Sequence, residues 1–234
     1  MMALIIRKQL KELASGKSNL VLIGIIIAIC GIVSPIFSPI YFTIFSPLLA
    51  LMFLAQISPG LFVDEKDNHT LETLVTLPIS IKKIIYGKVL YGFLLTLFLF
   101  LCSFGLGFVV SMIAHHSVIF TWKQVIGYIL MIPFTFWAFA YQATYMSLKS
   151  NDSGACALTL SFVSVIYNIP AIALLVFILA PIDTTIHFFG FSLAVNLLNV
   201  ACLYFVLVIA VCIALRILLG RYFNKTTIFS LLRN

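Results

Sequence analysis

The chain has 234 residues and a mass of 26.0 kDa; 63% of its residues are apolar, 9% are charged, and mean hydropathy is +1.19. Soluble domains run at roughly 45–50% apolar and about 25% charged, so too little polar surface exists to coat a water-soluble globule. That excludes a cytosolic enzyme, and a 14% aromatic content excludes disorder. Fourteen Lys and Arg against seven Asp and Glu leave a net charge of +7, yet no basic run alternates with aromatics. The expected partner is the lipid bilayer, not nucleic acid.

Along Met1–Ser15, Ile6, Leu10, Leu13 and Ala14 recur at helical spacing, with Lys8, Lys11, Glu12 and Ser15 on the other side. The pattern predicts an interfacial helix over residues 1–18, its lysines near anionic headgroups. Basic residues before an apolar run also describe a signal peptide. The run from Leu20, however, continues past Pro35 without an A-x-A-like site, so the N-terminus is expected to be retained.

A hydrocarbon core about 30 Å thick takes roughly 20 apolar residues as a helix. Six stretches meet that need, at about 19–37, 41–63, 86–114, 124–147, 155–180 and 194–218, and none holds Asp, Glu, Lys or Arg at its centre. Pro35 and Pro39 interrupt the first; Pro59-Gly60 and Pro133 predict kinks in the second and fourth. The expected fold class is an all-α polytopic membrane protein of six transmembrane helices, residues 1–234 forming one domain.

Orientation follows from the basic residues. With six spans, one side collects Arg7, Lys8, Lys11 and Lys17, then Lys66, Lys82, Lys83 and Lys88, then Lys149, then Arg216, Arg221, Lys225 and Arg233. The other side holds only Lys123. Both termini are therefore expected in the cytoplasm, with the chain multi-pass in the cell membrane. The outer loops, about 38–40, 115–123 and 181–193, are too short for an external domain.

The cytoplasmic loop at 64–85 concentrates Asp64, Glu65, Asp67 and Glu72, four of the seven acidic residues. Asp67 or Asn68 can cap a short helix over Thr70–Leu77 with Leu71, Leu74 and Val75 on one face. Pro78 stops it, and Ser80 can cap the helix that enters the third span. A short apolar face there needs its own bundle or a partner to cover it.

This loop resembles the cytoplasmic signature of ABC type-2 transporter permeases. The matching residues are Asp64-Glu65-Lys66, Thr70-Leu71-Glu72, Leu74, Pro78-Ile79-Ser80 and Gly87-Lys88, with His69 standing where members commonly have Gly. The six spans, interfacial helix and small outer loops resemble the family along essentially the whole chain. The resemblance implies a permease domain that forms half of a translocation pathway in an ATP-driven exporter. It also implies a second permease subunit, identical or homologous, and two ATPase subunits beneath. The short helix would be a coupling helix seated in an ATPase groove, with Glu65 and Glu72 making polar contacts and Leu71 and Leu74 packing. No Walker-type G-x-x-x-x-G-K-[ST] occurs here, so ATP and magnesium are expected in the partner and no catalytic residue or cofactor in this chain.

An ion-gradient-driven secondary transporter is the rival reading. It would usually place an ionisable residue within a span, and no Asp, Glu, Lys or Arg stands at the centre of one. Gln56, Gln142, Asn168, Asn196 and Asn199 are the candidate substrate-path residues, and they serve equally as interhelical hydrogen-bond partners. Ser103, Gly107 and Ser111 form a small-residue stripe suited to close helix packing. His115, His116, His187 and Asp183 do not make the three or four convergent ligands a metal needs. The five cysteines, Cys30, Cys102, Cys156, Cys202 and Cys212, contain no C-x-x-C pair and read as small hydrophobes. Apolar walls without an external domain suit a peptide, antimicrobial or other amphipathic cargo. Sodium, drug and lipid-linked glycan export remain the alternatives within the class.

Overall fold

The computed structural model describes residues 2–37, 39–68, 81–115, 122–179, 184–188, 191–195 and 197–222. Its helices are α1 (Met2–Ser15), α2 (Lys17–Ala28), α3 (Ser34–Phe37), α4 (Pro39–Ile57), α5 (Pro59–Asp67), α6 (Ile81–His115), α7 (Trp122–Lys149), α8 (Ser153–Leu179) and α9 (Leu197–Tyr222). Gly16, with an extended backbone at φ −80° and ψ 98°, separates the amphipathic α1 from the apolar α2. α1 packs against α6 and α2, turning Ile6, Gln9 and Leu13 inward and Lys8 and Lys11 outward. Leu10 and Ala14, from the apolar side of this helix, are exposed. This packing brings Lys8 within 3.6 Å of Glu65 on α5.

α2 continues into α3 through one π-helical turn, Ile29–Val33. Pro35 has no N–H to give the carbonyl four residues earlier, and Ser34 Oγ donates to the Cys30 carbonyl at 2.8 Å. The backbone widens there, as π turns do where the regular ladder is interrupted. Gly31 lies in this turn, where a Cβ would approach Leu106 Cβ to 3.0 Å, so its lack of a side chain permits close contact with α6.

α4 is the central helix and packs on both α6 and α8. Its Phe42, Leu51, Phe53 and Leu54 are almost wholly buried. The stripe Ser103, Gly107 and Ser111 on α6 is buried too, and Phe42 rests on Gly107. The Phe42 and Phe104 rings sit 5.3 Å apart, and Phe100 meets Phe136 of α7 edge-on at 5.4 Å. These contacts tie three helices by dispersion and ring geometry.

The kink expected at Pro59-Gly60 is a break at Ser58, whose Oγ donates to the Ala55 carbonyl at 2.8 Å. Past it, α5 stays helical to Asp67, and α6 begins at Ile81. Both ends of the loop expected over 64–85 are therefore helical, 64–67 in α5 and 81–85 in α6, and residues 69–80 lie outside the described residues. α7 passes through Pro133 as one helix. The outer segment at 181–193 contains strands β1 (Thr184–Phe188) and β2 (Phe191–Val195), paired antiparallel with Phe188 opposite Phe191. The last helix accordingly starts at Leu197 and not at 194, because β-branched Thr184, Thr185 and Ile186 favour a paired strand.

Among the described residues, Asn19–Phe37, Phe42–Asp67 and Lys83–His115 are long and apolar enough to cross a membrane. Ser153–Ile169 and Val206–Leu218 are shorter apolar stretches. Large side chains such as Phe162 on α8 (73% exposed) and Ile113 on α6 (68%) face outward, as lipid-facing positions do. Neighbouring helices alternate in direction. His115 Nε2, at the far end of α6, donates to the Pro35 carbonyl at 2.9 Å, while Lys66 at the end of α5 meets the last turn of α7.

Candidate functional site at the base of the bundle

At the end of the bundle where α1, α5, α6 and α8 meet, charged side chains converge. Glu65 lies in the last turn of α5 and is buried. Its carboxylate forms an ion pair with Lys88, itself 1% exposed on α6, and a second pair at 3.6 Å with Lys8 on α1. Lys88 also donates to the Leu61 carbonyl, and its ammonium lies 3.9 Å from the centre of the Phe62 ring. A buried ammonium is tolerated only when paired and hydrogen-bonded, and the carboxylate, the carbonyl and the ring face together meet that condition.

A second set of bonds fixes α5 to the α7–α8 turn. Lys66 donates to the carbonyls of Leu148 and Ser150, the latter at 2.9 Å, in the position where a cation complements the last carbonyls of a helix. Ser147 Oγ accepts the Phe62 N–H at 3.0 Å, an amide that α5 cannot satisfy within its own first turn. Asp152 caps α8, accepting from Gly154 N–H at 2.9 Å and Ala155 N–H at 3.4 Å.

Between these elements lies a cavity of about 910 Å³, within the size range of sites for small ligands. Leu13, Ile57 and Tyr91 form apolar wall; Gln56, Asp64 and Asn68 bring polar groups to it.

Of the residues expected to contact an ATPase, Asp64 is exposed and Glu65 is turned into the chain's own interior, a position that the acidic pattern alone does not reveal. Thr70, Leu71, Glu72, Leu74 and Pro78 lie outside the described residues. Of the candidate path residues, Gln56 reaches the cavity and donates to Ser161 Oγ on α8 at 3.2 Å. Gln142 is half-buried on α7. Asn168 is buried and donates to the Ser164 carbonyl of its own helix at 3.4 Å, away from that wall. Asn199 is carried on α9, and Asn196 lies outside the described residues. Tyr91 was not singled out by sequence reasoning, and Lys8 entered only as an interfacial lysine. Lys66 and Lys88 entered through the Asp64-Glu65-Lys66 and Gly87-Lys88 matches and the basic-residue count, and a lysine two turns into an apolar helix is the signal that marks Lys88.

Compared with known proteins, residues 33–168 match the family model described as ABC-2 family transporter protein. No curated protein and no solved structure matches the chain. The matched region runs from the π turn to the middle of α8, and so contains Glu65, Lys66, Lys88 and most of the cavity wall.

Proposed function

We propose, from the premise that this chain belongs to the ABC-2 family of transporter proteins, that it is the permease subunit of an ATP-driven exporter. It crosses the cell membrane six times with both termini in the cytoplasm and forms half of a translocation pathway with a second permease, identical or homologous. Two separate ATPase subunits bind ATP and magnesium and dock against the segment between α5 and α6. The cargo is a peptide, an antimicrobial compound or another amphipathic molecule.

One observation carries this reading. The two helices flanking the 68–80 segment are joined at their bases by the buried Glu65–Lys88 pair, and Lys8 adds the interfacial helix to the same carboxylate. A push on that segment therefore reaches α1, α5 and α6 together instead of bending one helix end. Lys66 extends the connection to α7 and α8. The absence of a Walker-type phosphate loop from the sequence supports an engine on another chain.

Co-purification with a partner ATPase tests the docking. Glu72→Ala combined with Leu74→Asp should lose the ATPase and leave membrane insertion intact; unchanged co-purification overturns the assignment of that segment. Uptake of cargo into inside-out vesicles should require ATP and survive collapse of ion gradients, whereas uptake driven by an ion gradient alone favours a secondary transporter.

A further inference from the structure

α7 lies between α6 and α9 and packs on both, whereas α6 and α9 do not pack on each other among the described residues. Four rings run along this face, each set edge-on to the next. Phe93 meets Trp137 at 4.9 Å, Trp137 meets Tyr141 at 5.7 Å, and Tyr141 meets Tyr86 at 6.5 Å. Tyr141 is 6% exposed, yet its hydroxyl makes no hydrogen bond among the described residues. The groups within electrostatic reach of that hydroxyl are Tyr86 on α6 and Arg216 and Cys212 on α9.

Arg216 is exposed, as is Lys83, one turn before Tyr86 on the same face of α6. Neither has an ion pair or hydrogen bond among the described residues. The acids whose side chains are described, Asp64, Glu65, Asp67 and Asp152, stand on α5 and just before α8. Two cations and an unpartnered phenol therefore share this end of the face with no described carboxylate. Beyond them the surface turns apolar, with Leu94 and Phe98 exposed on α6 and Ile209 and Ile213 on α9. Basic pockets between membrane helices suit anionic headgroups, and Tyr and Trp suit the depth at which those headgroups lie. We infer that this face holds one anionic phospholipid. Its phosphate sits on Arg216 and Lys83 and accepts from the Tyr141 hydroxyl, and its acyl chains follow the apolar side chains past Trp137. The site requires that these helices cross a bilayer, and not that the chain exports a cargo.

The test titrates the full-length chain, in detergent and without ATPase, with phosphatidylglycerol or phosphatidylcholine and counts bound lipid by native mass spectrometry. The first phosphatidylglycerol should bind roughly thirtyfold more tightly, the worth of two basic residues at an anionic headgroup. Arg216→Gln and Lys83→Gln should each cut that affinity about fivefold, and Tyr141→Phe about threefold, the scale of one hydrogen bond. Arg216→Lys should bind as the parent does. Lys149→Gln, which removes an exposed charge at the end of α7 away from the rings, should change nothing. Glycerol phosphate, the headgroup without chains, should not compete at matched concentration. Equal binding of the two lipids, indifference to both Arg216→Gln and Lys83→Gln, an equal loss with Lys149→Gln, or competition by glycerol phosphate overturns the site. No transport enters the measurement, so its failure leaves the export reading standing, and absent ATP-driven uptake leaves the lipid site standing.

Discussion

Glu65 and Lys88 are separated by 23 residues along the chain, yet their charged groups meet inside the protein. Burial removes water from both groups, so each is stable as an ion only while the other is present. The pair thus sets the spacing of α5 and α6 near the end of α5 and the start of α6.

Lys88→Met should therefore destabilise the protein strongly, by roughly 3–5 kcal/mol, because it leaves the buried Glu65 carboxylate with only the partly exposed Lys8. Removing both charges, as in Glu65→Leu with Lys88→Met, should cost less than the single change. Thermal unfolding in detergent micelles compares the two. A double variant as unstable as Lys88→Met alone would show that packing, not charge, holds the contact.

Gly107 offers a sharper steric test. A Cβ at that position would come within 2.9 Å of Phe42 Cδ2, whereas at Gly105, two residues earlier and on the opposite face of the helix, nothing lies within 4 Å. Gly107→Ala should cost about 1–3 kcal/mol by overpacking. Gly105→Ala should be neutral or gain up to about 1 kcal/mol from helix propensity. Melting temperatures of the two variants, measured side by side, should move in opposite directions or differ by several degrees.

The sequence made some of this architecture legible and concealed the rest for physical reasons. Apolar run length reveals a membrane helix because the bilayer fixes the length required, and small residues spaced by four reveal a packing face, as Ser103, Gly107 and Ser111 do. The prolines marked the break at Ser58 and the disturbed helix before Pro35, but not the π turn, which depends on how Ser34 and Gly31 meet their neighbours. Glu65 was legible as an acid in a cytoplasmic loop and not as a buried group. Its fate depends on α5 remaining helical to Asp67 and on Lys88 projecting toward it, relations of register between distant segments. The burial of Gln9 on α1 was likewise not legible, because it depends on how α1 packs against α6.

Lys66 should prove to be a fastener between α5 and the end of α7. Its ammonium bonds the Leu148 and Ser150 carbonyls, next to the exposed Lys149. Lys66→Met should free the 148–152 turn at a cost of about 1–2 kcal/mol, the scale of a charged hydrogen bond at a half-buried site. Trypsin cleavage after Lys149 in inside-out vesicles should then accelerate about tenfold. Lys66→Arg, which keeps the donors, should resemble the parent.

Gln56 and Asn168 separate a cargo-contacting amide from a structural one. Both are intramembrane amides expected along a substrate path, but Gln56 lines the basal cavity while the Asn168 amide is closed onto its own helix at Ser164. Gln56→Leu removes one interhelical bond, a stability loss of only about 0.6 kcal/mol, and should change the KM for ATP-driven uptake into inside-out vesicles several-fold. Asn168→Leu should leave KM unchanged. If instead Asn168→Leu shifts KM and Gln56→Leu does not, cargo runs deeper along α8 and the basal cavity lies off its route. Because the two substitutions replace the same type of group by the same side chain, the difference between them reports position and not chemistry.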